Sequence, residues 1–215
     1  MAEGVKPATQ KRSRETRDKL VRALEVELRS RAFDQISVAD IAKQAGLSVG
    51  SVYRRFENKD AFIPVIFEIY QARLMEFNSN PETQVRVEPE FGLRQALHTI
   101  ARSGWEFLVP EAHIIRAAHL YGRLRPDLIG DEWDALLEAS VEGYMKALEE
   151  FSDEIKRPIN RETAELVTYV FSSIYVEKGL YPKDGPGAIV SIDGDKFAIE
   201  MAEFIYGYLV TEPAS

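Results

Sequence analysis

Apolar residues recur at helical spacing through almost all of this 215-residue chain, and no segment sustains the two-residue alternation of a half-buried strand. In RETRDKLVRALEVELRSRAF, Leu20, Ala23, Leu24 and Leu28 fall on one stripe with charges opposite. Phe62, Ile66 and Tyr70 stay in register through AFIPVIFEIYQARLMEF, where Pro64 sits in the first turns and its missing N–H costs least. Further helices are expected near 90–109, 111–125, 127–156, 160–180 and 195–210, divided by the loops NSNPETQVRVEPE and YPKDGPGAIVSIDGD. The run AIVSI is the one β-like piece, too short and isolated to found a sheet. The expected fold class is all-α, about nine helices, with no internal repeat.

Composition narrows the class further. Hydrophobic residues make up 45% and charged residues 29%, an ordinary globular balance, and the absence of cysteine removes disulfide and thiolate chemistry. No apolar run follows Lys11, Arg12 and Arg14, and no stretch reaches the ~20 apolar residues of a membrane span, so a cytoplasmic location is expected. The net charge of -8 is unevenly spread. Residues 1–60 carry 13 Lys and Arg against 9 Asp and Glu, and the remainder 14 against 26. Such an asymmetry suggests a polyanion-binding end on an acidic body, against a plain reading as solvated faces.

The stretch SVADIAKQAGLSVGSVYRRF, residues 37–56, gives that end a form. Ser37 and Asp40 are spaced as a capping box, with Ile36 and Ile41 as its hydrophobic staple. Val38, Ile41 and Ala42 make the buried side, and Gly46 supplies the left-handed residue that ends the helix. Ser48 is spaced as a second N-cap, with Leu47 and Val52 as a second staple. Two short helices across AGLS make a helix-turn-helix, within a domain spanning residues 1–58. Val52 and Phe56 must point inward to dock the second helix. That leaves Val49, Gly50, Ser51, Tyr53, Arg54 and Arg55 outside, where small residues permit close approach and arginine forks match guanine edges or phosphate. Lys43 and Lys59 add flanking charge. The tail KRSRETR, with Arg12 and Arg14, would precede the first helix as a flexible basic arm entering a minor groove, or as a tail binding nothing specific. A structural helix corner or a protein-binding surface is the competing account of the motif.

From about Arg12 to Tyr70 the sequence resembles the amino-terminal domain of the TetR (tetracycline-repressor-like) family of bacterial transcriptional regulators. The likeness is carried by SVADIAKQAGLSVGSVYRRFENKDAF: a capped helix, Ala-Gly-Leu-Ser, a Gly-Ser pair, Tyr53-x-x-Phe56 and Lys59. It implies that residues 48–55 enter the major groove of double-stranded DNA, with phosphate contacts from Ser37, Tyr53 and Lys59. Val49 stands where the family often has a basic or polar residue, and Arg55 where His or an aromatic is frequent, so the preferred base sequence does not carry over.

Residues 59–215 are expected to bind an effector and to dimerise. ETAELVTYVFSSIYVEKGL is apolar nearly all round, and FAIEMAEFIYGYLV repeats the pattern. A helix without a polar face needs cover on both sides. A homodimer interface through Leu166, Val170, Ile174, Phe197, Met201, Phe204, Ile205 and Tyr208 would supply it, and the resemblance points the same way. Burial within one chain is the alternative. A dimer would hold two recognition helices about 34–36 Å apart, matching a palindromic operator.

Candidate effector residues on the middle helices are His98, Trp105, Leu108, His113, Arg116, Tyr121, Trp133, Tyr144 and Phe171. His113, Arg116, His119 and Arg123 are spaced to share one side, which would suit an anion or simply face water. From composition alone, an apolar or aromatic effector is expected.

Catalysis finds no support. No Gly-x-Ser-x-Gly, His-Glu-x-x-His or phosphate-loop motif occurs, and Asp193 and Asp195 lack the remaining ligands of a calcium loop. His113 and His119 are six apart, not the four of a helical metal pair. No cofactor or metal is expected. Three classes remain: an effector-released repressor, a constitutive regulator or activator, and a ligand-binding or scaffolding protein with an idle helix-turn-helix.

Overall fold

The computed structural model describes residues 7–80, 89–181 and 185–213; most of the loop read at 78–90, and residues 182–184 of the Gly/Pro-rich loop, lie outside them. Among the described residues every regular element is helical, and AIVSI forms no strand. The α-helices are α1 (Pro7–Leu28), α2 (Val38–Gln44), α3 (Val49–Tyr53), α4 (Ile63–Ser79), α5 (Gly92–Leu108), α6 (Ala112–Leu124), α7 (Pro126–Ile129), α8 (Glu132–Glu150), α9 (Arg161–Tyr175) and α10 (Gly194–Leu209). No helix among these residues is long and apolar enough to cross a membrane.

Two boundaries differ from the sequence expectation. α1 begins at Pro7, so Arg12 and Arg14 lie on a helix and not on a flexible arm. Nothing between Pro7 and Leu28 breaks a helix, and Lys, Arg, Glu, Ala and Leu all favour one, while proline suits a first turn. The single helix expected over 127–156 is divided at Gly130, whose φ of +64° a residue with a Cβ rarely adopts.

The helices gather into two compact units. The first takes the chain up to Gln71 together with His113–Ile129. Its core holds the α1 stripe, with Leu20 and Leu24 fully buried, along with Ile41, Val52, Phe62 and Ile66. Burying each such side chain contributes roughly 1.5–3 kcal/mol. The edge of Tyr121 meets the Phe33 ring at 5.2 Å, so α6 packs on the start of the helix-turn-helix. Arg125, just past α6, pairs with Asp127 at 2.9 Å and with Asp60 at the entry to α4.

The second unit comprises Ala72–Ala112 and Gly130–Ser215, with α5 along α10 and α8 along α9. α5 has no cap of its own. Glu154 supplies one, its carboxylate accepting from the Leu93 N–H at 2.8 Å, where a negative charge also meets the positive helix end. The Lys156 and Arg157 amides donate to the last carbonyl of α10, that of Leu209, at 2.8 and 3.3 Å.

Candidate nucleic-acid interface

The turn between α2 and α3 is built from local chemistry. The Asp40 N–H donates to Ser37 Oγ at 3.1 Å, and the Ser37 N–H donates back to Asp40 Oδ2 at 2.9 Å. The Ser37 hydroxyl, donating to Asp40 Oδ2 at 2.7 Å, and then the Ser37 N–H, helped by Arg31 at 3.5 Å, hold the Asp40 carboxyl below its ordinary range. At the other end, Leu47 N–H reaches Ala42 O at 2.9 Å and Gly46 N–H reaches Lys43 O at 3.1 Å, the paired bonds of a Schellman stop. Gly46 has the φ of +65° that this stop requires. Ser48 Oγ then accepts from the Ser51 N–H at 3.2 Å and opens α3.

α3 is shorter than the sequence suggests, ending at Tyr53 with Arg54 as its cap. Val52 is fully buried, and Phe56 stacks on Phe62 with centroids 4.0 Å apart and planes 24° apart. These two side chains anchor the helix and turn its other faces out. Gly50, Arg54 and Arg55 are exposed, Val49 and Tyr53 are 39% and 53% exposed, and Ser51 is half-buried. Arg54 donates to Ser51 Oγ at 2.8 Å, which fixes the guanidinium along the outer face while leaving further donors available.

The residues expected to meet phosphate come together. Ser37, Val49, Tyr53 and Lys59 line one open groove of about 410 Å³ with Asp34–Ala39. Lys59 is also part of the scaffold, since its ammonium donates to the Asp34 carbonyl at 2.8 Å and lies 4.9 Å from the Phe33 ring centroid. Arg55 is likewise engaged, donating to Ser13 Oγ of α1 at 2.9 Å. Ser13 carries no signal in the sequence, since no local pattern links positions 42 residues apart. Lys43 is exposed at the end of α2, and Arg12 and Arg14 are exposed on α1.

The expected effector residues do not form one set. His113, Arg116 and Tyr121 belong to the first unit, and His98, Trp105, Leu108, Trp133, Tyr144 and Phe171 to the second. The shared side drawn through His113, Arg116, His119 and Arg123 is divided. Arg116 and Arg123 are exposed, whereas the His113 side chain is 10% exposed near Glu25, and His119 lies against Tyr70. The four residues span a wide arc, and its edge turns into the core.

Burial, with Arg123 nearby acting the same way, lowers the His119 imidazole to about 4. Its folded pKa is thus below the unfolded value of about 6.5, and the unfolded chain takes up the proton first as pH falls. Stability is unaffected above about pH 6.5 and declines between there and about pH 4, by on the order of 3 kcal/mol. Thermal unfolding across this window should show that decline, and His119→Leu should remove its share; an unchanged slope in the variant would refute the assignment.

In the second unit Trp105 meets Tyr175 at 5.6 Å and Phe197 at 5.1 Å, and Phe171 stacks on Tyr144 at 5.7 Å. Tyr175 donates to the Ala101 carbonyl at 2.9 Å. Burial pushes the Tyr144 and Tyr175 hydroxyls up. Leu108 is buried on the same helix as Trp105, and Trp133 is half-buried at the start of α8. His98, at 2.6 Å from Glu203, ties α5 to α10.

Of the residues expected at a dimer interface, Phe197 is 2% exposed and packed in the aromatic core, and Ile205 is 3% exposed. Phe197 is therefore corrected to a core residue. Leu166 and Phe204 remain 44% and 73% exposed, joined by Tyr169 at 69%, while Val170, Ile174, Met201 and Tyr208 are half-buried. Leu166, Val170, Phe204, Ile205 and Tyr208 line one narrow apolar groove of about 110 Å³.

An all-α chain with a double-capped helix-turn-helix at one end and a larger helical body defines a class of regulator folds. Residues 20–64 match the sequence model of the bacterial regulatory proteins, tetR family. The fold is shared with a transcriptional regulator from Rhodococcus sp. Rha1, at a TM-score of 0.60 and 19% identity over 91% of this chain and 98% of that one. It is also shared with NalD of Pseudomonas aeruginosa, described as the secondary repressor of the MexAB-OprM multidrug efflux pump, at 0.57 and 18% over 94% and 100%. A TetR family transcriptional regulator from Pseudomonas syringae pv. tomato aligns at 0.58 and 18% over 89% and 95%. No curated protein sequence matches the chain. The protein carries the amino-terminal domain of the TetR family and has the TetR-family fold.

Proposed function

We propose that the protein is a DNA-binding transcriptional repressor that grips a palindromic operator as a homodimer and is released by a small molecule held in its carboxy-terminal helices. One observation carries the DNA reading: Val52 and Phe56 anchor a helix whose Gly50, Tyr53 and Arg54 all face outward. Arg54 is the residue best suited to guanine, because its fork can donate twice to O6 and N7. Ser37, Tyr53 and Lys59 would hold the adjoining phosphates, with Lys43, Arg12 and Arg14 adding sequence-independent attraction. The exposed apolar residues Leu166, Tyr169 and Phe204 support pairing of two chains through α9 and α10. Repression is supported by the likeness in fold to NalD.

Release requires the ligand to favour one arrangement of the chain over another. The contacts of Tyr121 with Phe33 and of Arg125 with Asp60 tie α6 and the residue after it to the turns that flank the helix-turn-helix. A second reading, a regulator that binds DNA constitutively or activates, is favoured by the close ring-on-ring packing around Trp105. A thermal-shift screen with lipophilic compounds separates the two, since a state-selective ligand both stabilises the protein and releases DNA.

The DNA reading is tested by salt-titrated binding to a duplex selected from a random library. Wild-type affinity should fall steeply with salt, and Arg54→Ala should cost about 1–3 kcal/mol, roughly 5- to 150-fold, on the selected site. Binding that is flat with salt and indifferent to Arg54→Ala and Tyr53→Phe would refute it.

A further inference from the structure

α1 presents a second charged surface, distinct from the recognition helix. On a helical wheel, Lys11, Arg12, Lys19 and Arg22 fall within about 100° of one another, with Glu15 the one carboxylate among the described residues inside that arc. All four cations are exposed. Arg17, on another face of α1, is by contrast paired with Glu68, and Arg29 just past the helix is paired with Glu25 at 3.2 Å. Among the described residues, none of the four has a carboxylate partner, in a chain whose net charge is -8. A continuous helix from Pro7 holds them in a fixed row, which a flexible arm would not.

The row does not stand alone. Lys19 and Arg22 flank a groove of about 200 Å³ with Ala23, Val26, Gln44 and Ala45, beside the turn that leads into α3. Val26, which also lines that groove, is 47% exposed. Two cations, an amide and apolar side chains lining one groove match a sugar-phosphate strand, whose charges alternate with apolar deoxyribose faces. From Arg12 to Arg22 the row is about 15 Å long, the rise of roughly four successive phosphates of one strand.

We infer that the Lys19–Arg22 face of α1 is a second DNA-binding surface that holds the backbone of duplex flanking the operator. The inference rests on the DNA reading above. Its contribution is sequence-independent, because nothing on this face is aimed at base edges, and it grows with the length of duplex supplied. Both side chains are exposed and lie outside the helix-turn-helix, so replacing them leaves the operator contacts intact.

The test uses the full-length protein and the library-selected duplex in two lengths: a short form of about 20 bp, and a long form extended by about one helical turn of arbitrary sequence at each end. The wild type should bind the long form roughly 10-fold more tightly at low salt, with a log–log salt slope steeper by about 2, as two or more further phosphates are neutralised. K19A/R22A should bind the short form as the wild type does and lose both gains on the long form. A wild type indifferent to length, a double variant that keeps the gain, or one weakened equally on both lengths would each overturn the inference while leaving the operator reading intact. Failure of the wild type to bind any selected duplex would instead overturn the DNA reading itself, and this inference with it.

Discussion

Replacing Phe204 by aspartate is expected to leave a folded monomer and to lower affinity for a two-half-site duplex by about 100-fold or more. Phe204 is 73% exposed on α10, beside the apolar groove lined by Leu166, Val170 and Tyr208, so its removal deprives the chain's own core of nothing. In a dimer the same side chain would be covered, and a carboxylate there would meet an apolar surface without a partner. Such a burial costs several kcal/mol, enough to dissociate a pair at micromolar concentration. The loss on DNA follows from linkage. Each subunit alone grips one half-site, and the large effective concentration that a dimer gives the second half-site is gone. Sedimentation and anisotropy on one preparation read both effects. A variant that still sediments as the wild type does would move the interface elsewhere.

Trp105→Ala should be the most destabilising single change in the second unit, at about 3–5 kcal/mol. Trp105 touches both Tyr175 and Phe197, and the Tyr175 hydroxyl is bonded to Ala101 one turn away, so the surrounding rings cannot close over the space it leaves. For a chain of this size each kcal/mol shifts the melting temperature by roughly 2–4 °C, which puts the expected loss at about 6–20 °C. Were Trp105 chiefly the wall of a ligand cavity, its truncation would cost little in the free protein and abolish a ligand's stabilising shift. Thermal unfolding of the variant with and without a stabilising compound distinguishes a packed cluster from a pocket wall.

How much of the structure is legible in the sequence depends on how far apart the interacting residues lie. Ser37 with Asp40, and Ser48 with Ser51, act across three positions, so spacing alone exposes them. Gly46 is legible because only a left-handed residue closes that turn. The start of α1 is hidden for the opposite reason: residues 11–17 are polar all round, so no apolar stripe marks the turns that precede Leu20. Arg55 meeting Ser13 and Lys59 meeting Asp34 bridge 42 and 25 positions, and no local pattern encodes either contact. On α10, Phe197 and Phe204 are seven apart and share a face on a helical wheel, yet one is in the core and the other exposed. Periodicity assigns a face but not where along the helix its neighbour ends.

The central assertion is that α3 enters a major groove with Arg54 on guanine. Methylation protection at guanine N7, which lies in that groove, tests it most directly on the selected duplex. The account predicts two protected clusters related by a dyad and centred about 34–36 Å apart, both lost in Arg54→Ala while phosphate-mediated binding persists. Full occupancy of the duplex with every guanine N7 still open to methylation would contradict it.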